Sequence, residues 1–358
     1  SYSFIYSDNV RNAFAIFTFD FDSNTSSKSR IDLSYSGERI VEAFSSYNNR
    51  FFVFFASTDG DLILRELADD YTSLTELARY AITDKNIDGE PIIFKRQFLY
   101  TKANYVLMGD NTPSPLAKSF PKYKLFNEDN MLILTVENSD VGTSVYRIDL
   151  KSLQLDEHFL KYPVGKLDDY EEFNSYVSNG FLFHIAVSNK EMTLQMKDFN
   201  NEILKEYYVT KEDEITFKNS IVAQKGANTI PFQRKRTFDD TAKFLRKISS
   251  ETVGVSVHYG NGVYEVTIGG LKDNVASGLL MISGGYYGNT DQITQITCLF
   301  DQNFDHIDGT VELNFFDRIA AFEKELKRST NSNIFYCNGS LFYSYINKKE
   351  KELRYLEF

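Results

Sequence analysis

The chain of 358 residues contains no tryptophan, only six prolines and only two cysteines. Without tryptophan, the bulk of any core must come from its 31 phenylalanines and 23 tyrosines. Cys298 and Cys337 form no C-x-x-C pair, and their number does not fix a redox compartment. Two buried thiols are the simpler reading, with a Cys298–Cys337 bridge as the alternative. Long apolar runs are missing too. No stretch of about 18 such residues exists, so no helix is expected to span a membrane. Positive charge is in deficit, with 39 Lys and Arg against 50 Asp and Glu and a net charge of −11. That balance disfavours a non-specific grip on nucleic-acid phosphates and docking onto anionic lipid. No G-x-S-x-G elbow, P-loop, G-x-G-x-x-G after a strand or H-x-x-x-H pair is present. The opening "SYSFIYSD" reads as a strand rather than a signal peptide.

What is present is a repeat. An alternating strand, a short polar turn and a second alternating strand recur along the chain. The copies start at Ala15, Leu62, Val145, Met192 and Ile293, and the last, "LFYSYINKKEKELRYLEF", ends at Phe358. Denser apolar runs precede several copies: "RFFVFFAS" from Arg50, "MLILTVEN" from Met131, "GFLFHIAV" from Gly180 and "GLLMISGG" from Gly278. Such runs suit strands covered on both faces, whereas alternation suits half-buried strands. "TVGVSVHYGNGVYEVTIGG" from Thr252 adds a hairpin turning on Asn261-Gly262, and "RQFLYTKANYVLMGD" from Arg96 could seed a further sheet.

Sheets graded from buried to half-exposed and repeated in sequence describe the blades of a β-propeller. The expected fold is therefore an all-β propeller over 1–358, with seven blades preferred and six to eight allowed. "GLLMISGGYYGNTDQITQITCLFDQNF" resembles a single kelch blade, its Gly284-Gly285 doublet ending a buried strand and Phe304 nearest to the kelch tryptophan. The likeness covers under a tenth of the chain and implies the fold alone. WD40 repeats are disfavoured because their Trp-Asp signature is impossible here.

Two helical interruptions are expected. The first is an insertion over 211–250, where "RKRTFDDTAKFLRKISS" places Phe238, Ala242, Leu245 and Ile248 on one helical face. The second is "FFDRIAAFEKELKR" over 315–328. Each packs on the rim or docks a partner. In the docking reading Arg234, Lys235 and Arg236 anchor the partner electrostatically, while Phe238, Leu245 and Ile248 bury against it. The acidic "LDDYEEF" at 167–173 is a solvated loop or the receiver of a basic partner.

One candidate metal site remains. Asp301, Asn303, Asp305 and Glu312 stand at positions 1, 3, 5 and 12 of an EF-hand loop, which would make calcium the ligand. His306 occupies the position that needs glycine, and the preceding residues alternate like a strand. A polar turn is the simpler account, and no cofactor is expected. His184 lies on a dense apolar run, where a core histidine is the simpler account than a channel ligand.

Function follows as an expectation only. A non-catalytic module that binds another protein, or a subunit of a larger assembly with a cell-envelope setting favoured, fits a repeat that lacks reaction motifs. The rival is an enzyme or glycan or small-ligand binder at the channel mouth, using carboxylates that one sequence cannot pair.

Overall fold

The computed structural model describes residues 2–82, 106–226, 236–272, 292–311 and 329–357, with short gaps inside these ranges, together with Arg318, Ile319 and Phe322. Six sheets follow one another along the chain. Sheet I is β1 (Tyr2–Ser7), β2 (Ala13–Asp20) and β3 (Thr25–Asp32). Sheet II is β4 (Glu38–Ser45), β5 (Phe51–Ser57), β6 (Asp61–Leu67) and β7 (Leu74–Ala81). Sheet III joins β8 (Val106–Met108), β9 (Tyr123–Glu128), β10 (Met131–Asn138), β11 (Gly142–Asp149) and β12 (Leu155–Lys161), with β8 parallel to β9. Sheet IV is β13 (Glu172–Ser178), β14 (Phe181–Val187), β15 (Glu191–Lys197) and β16 (Ile203–Thr210). Sheet V contains β17 (Val222–Gly226), β18 (Arg236–Phe238), β19 (Thr252–Gly260), β20 (Val263–Lys272) and β21 (Gln292–Phe300). Its order is β18-β17-β21-β20-β19. Sheet VI is β22 (Ser329–Cys337), β23 (Ser340–Asn347) and β24 (Glu352–Glu357).

Sheets I to V stack face to face in sequence, and the period of two decides which side chain faces which neighbour. On β5, Val53 and Phe55 pack with Phe14, Ile16 and Ile31 of sheet I. Phe52, Phe54 and Ala56, pointing the other way, pack with Leu132, Leu134 and Ile148 of sheet III. β10 repeats the division, since Ile133 joins the next core, which sheets III, IV and V share. Each fully buried phenylalanine contributes roughly 1.5–3 kcal/mol. The apolar run at Arg50 became dense because β5 has two faces to cover. The runs at Arg50, Met131 and Gly180 are thus central strands, with β4, β9 and β13 lying beyond them.

Hairpins expected from Ala15, Leu62, Val145, Met192 and Leu341 are all present as β2–β3, β6–β7, β11–β12, β15–β16 and β23–β24. The turn at Asn261-Gly262 has φ of 53° and 79°, as a two-residue hairpin needs. The copy at Ile293 differs. β21 ends at Phe300 and only an isolated bridge, Phe300 to His306, follows. The run at Gly278 and most of that at Arg96 fall outside the described residues.

Within 211–250 two strands, β17 and β18, join sheet V before α2 (Thr241–Ile248); earlier in the chain, α1 (Leu116–Ser119) is a single turn packed on β19 and β20. Of 315–328, Arg318, Ile319 and Phe322 are helical, and Phe322 meets Tyr343 and Tyr345 of sheet VI edge-on. The remaining residues of that segment lie outside the description. No helix among the described residues is long and apolar enough to cross a membrane.

Candidate functional site

The acidic turn after β21 is built from its own carboxylates. Asp301 Oδ1 accepts the backbone N–H of Asn303 at 2.8 Å and of Asp305 at 2.9 Å. Asp305 pairs with Lys205 of β16. Glu312 lies outside the described residues. The turn throws Phe304 inward with a φ of 63°, a left-handed conformation uncommon for a bulky side chain. Its ring is buried against Phe181, Phe183 and Tyr264, and Tyr207 donates its hydroxyl to the Phe304 carbonyl at 2.7 Å. The turn is a staple between sheets IV and V. This conformation also explains why the expected second strand stops.

Helix α2 turns its apolar face inward. Asp240 caps it by accepting the N–H of Lys243 at 2.8 Å, so the helix starts three residues after Phe238, which belongs to β18. Leu245 and Ile248 are fully buried in the core that sheets III to V share, joined by Phe244, while Ala242 is exposed. The expectation that Leu245 and Ile248 face a partner is corrected accordingly, because the chain's own core already covers them. Phe238 is half-buried beneath Lys243. Arg234 and Lys235 lie outside the described residues, as does the Arg236 side chain.

His184 lies on the second strand of sheet IV. It sits on β14, fully buried, with Nε2 3.0 Å from Thr143 Oγ1. Burial, and then the charges of Lys197 and Lys124, keep its pKa well below the ordinary histidine value. Thr143 reaches on to Glu137, whose carboxylate gathers five donors from sheets III and IV and the segment between them. These are Lys124 Nζ at 3.2 Å, Thr143 Oγ1 at 3.0 Å, Ser175 N at 2.9 Å, Ser175 Oγ at 2.6 Å and the Tyr162 hydroxyl. A buried carboxylate tolerates desolvation only when it is bonded in this way. The Glu137 carboxylate is thus satisfied inside the interface, whereas His184 Nδ1 is buried without a hydrogen-bond partner among the described residues.

Tyr162 opens the segment that crosses from sheet III to sheet IV, "YPVGKLDDY". Its other end is Tyr170, also buried, whose hydroxyl bonds Thr193 of β15. Between these anchors, one oxygen of Glu191 accepts three successive backbone N–H groups, from Lys166 (2.8 Å), Leu167 (2.9 Å) and Asp168 (3.2 Å). The Tyr208 hydroxyl donates to its other oxygen. Burial opposes ionisation of Glu191, but Tyr208 and the three backbone donors outweigh it and hold the carboxyl below its ordinary value. Gly165 is required, since a Cβ there would lie 1.7 Å from the Asp168 carbonyl oxygen.

This loop, held at both ends and in the middle, presents Val164 with 83% and Leu167 with 59% of its surface exposed. The hydrophobic effect favours the opposite. The sequence signal for this was partial: "LDDYEEF" showed the acidity, but nothing local ties Glu191 to backbone groups more than twenty residues earlier.

No family model matches the chain, and no curated protein matches its sequence. Solved structures similar to it include Sqt1 of Saccharomyces cerevisiae, at 10% identity and a TM-score of 0.29, over 96% of this chain and 79% of that one. The Dos1 propeller is 11% identical with a TM-score of 0.31, over 94% and 71%. The periplasmic gluconolactonase PpgL of Pseudomonas aeruginosa is 10% identical with a TM-score of 0.30, over 96% and 73%. Likeness at this level carries no argument, and the architecture rests on the stacked sheets themselves.

Proposed function

We propose that this chain is a β-propeller, its successive sheets serving as blades, and that it acts as a non-catalytic module that docks another protein through the loop Val164–Asp169. The observation that carries the reading is the exposure of Val164 and Leu167 on a backbone fixed by Glu191. A fixed loop loses little conformational entropy on binding, so a small apolar contact there yields more affinity than on a flexible one. The Glu137 carboxylate is spent on five donors inside the fold, and His184 is fully buried, which favours docking over chemistry at a channel mouth.

The test is recovery of bound proteins from the native source with wild type, Leu167→Asp and Val164→Asp, read by mass spectrometry. Both variants keep the wild-type melting temperature, and specific partners recovered with wild type disappear. An unchanged set of recovered proteins would remove the loop from the interface.

A further inference from the structure

The charges around the loop identify the chemistry of the occupant. We infer that Val164 and Leu167 seat an apolar side chain of a basic peptide segment, whose flanking Lys or Arg residues are read by Asp169 and Glu171. This deepens the docking proposal and rests on it.

Three structural elements meet at this end of sheet IV. The loop is joined to the turn before β15 by the Lys190–Asp168 pair at 2.6 Å. That turn is joined to the one after β16 by the Lys211 N–H, which donates to the Lys190 carbonyl at 2.8 Å. Three cations beside the loop have carboxylate partners: Lys166 with Glu206 at 2.8 Å, Lys190 with Asp168, and Lys211 with Glu212 at 3.8 Å. Asp169 and Glu171 are exposed, and Glu171 adds to the negative charge that Lys190 experiences. They follow Leu167 by two and four residues in the sequence. Asp213 adds a third carboxylate on the neighbouring turn, oriented by the Thr210 backbone N–H and hydroxyl at 3.1 and 2.6 Å.

An apolar centre with exposed carboxylates at its edge is the usual division of an interface into hot spot and rim. The net charge of −11 acts in the same direction, drawing cationic segments in and repelling nucleic acid, anionic membranes and acidic peptides. A second copy of this chain would bring like charge to the same surface.

A phage-displayed library of random short peptides, panned on the intact chain, tests this. Enriched peptides should carry Lys or Arg beside an apolar residue. By fluorescence polarisation, the best of them should lose affinity on the order of thirtyfold with Leu167→Asp. It should lose about tenfold with Asp169→Lys/Glu171→Lys, and weaken with added salt. Peptides that depend on Leu167 but are neutral or acidic would overturn the basic occupant and leave the docking site standing. Peptides indifferent to Leu167, in a variant whose circular dichroism is unchanged, would overturn both. Concentration-dependent dimerisation of wild type, abolished by Leu167→Asp, would replace the peptide with a second copy.

Discussion

Two acidic loops at the borders of sheet IV use the same device to opposite ends. After β21, Asp301 accepts backbone N–H groups from its own turn, and the fixed backbone drives Phe304 into the interface of sheets IV and V. Before β13, Glu191 accepts three backbone N–H groups from a loop it does not belong to, and the fixed backbone leaves Leu167 in water. Carboxylate-to-backbone bonding therefore does not distinguish a structural loop from a functional one. The direction of the apolar side chain does. One loop gains core packing for its strain, while the other gains no such packing, which is the physical reason to look for its compensation in a partner.

The largest expected difference between the two lies in stability. Phe304→Ala should destabilise the fold by about 3–5 kcal/mol, the range for removing a buried aromatic. Leu167→Ala should change stability by no more than about 0.5 kcal/mol. Chemical denaturation of both variants reads this directly. Equal losses would mean that Leu167 is packed in solution, and the contrast would vanish.

Next in size is the anchor of the exposed loop. Glu191→Ala strands three backbone donors and should cost about 1–3 kcal/mol. It should also raise amide exchange at Lys166, Leu167 and Asp168 while leaving the Phe304 turn protected. A pH dependence belongs to the same anchor. The folded carboxyl of Glu191 lies below its ordinary value, so its contribution is fully present above the unfolded pKa of about 4.3 and is lost as pH falls through the folded one. Loop protection, corrected for intrinsic exchange, should therefore fall in acid below that value. In Glu191→Gln this acid step should be absent. A loop whose protection ignores both pH and residue 191 is held by something else.

How much of this was legible beforehand follows from the range of each interaction. Hairpins such as β6–β7 and β19–β20 are local, so period and turn residues reveal them. The density of β5 announced two covered faces, but not that β4 would lie beyond it, because strand order depends on pairing that no single run encodes. α2 was recognisable as amphipathic, and its register was missed by the distance from Phe238 to the Asp240 cap. Its destination could not be read at all, since an apolar face looks the same whether it meets sheets of its own chain or a partner. The Glu191 anchor was invisible for a similar reason. A glutamate at the start of an apolar strand reads as a solvent-facing residue until the fold brings the loop over it.

The smallest expected effect concerns the acidic turn and calcium. Spacing alone offers Asp301, Asn303 and Asp305 as ligands, and bound calcium at about 100 times its dissociation constant would add about 2.7 kcal/mol. In the folded chain, however, Asp301 Oδ1 already holds two backbone N–H groups, and the Asp305 carboxylate is occupied by Lys205. Binding a cation would require Asp301 to divide its lone pairs and Asp305 to leave its lysine, which offsets what coordination supplies. Millimolar calcium should thus leave the melting temperature unchanged in wild type and in Asp305→Asn alike. Asp301→Ala should lower it in either condition by releasing the turn that seats Phe304. A calcium-dependent rise in wild type that disappears in Asp305→Asn would show that this turn holds an ion as well as a ring, and the two loops would then differ in ligand chemistry rather than in the fate of one apolar side chain.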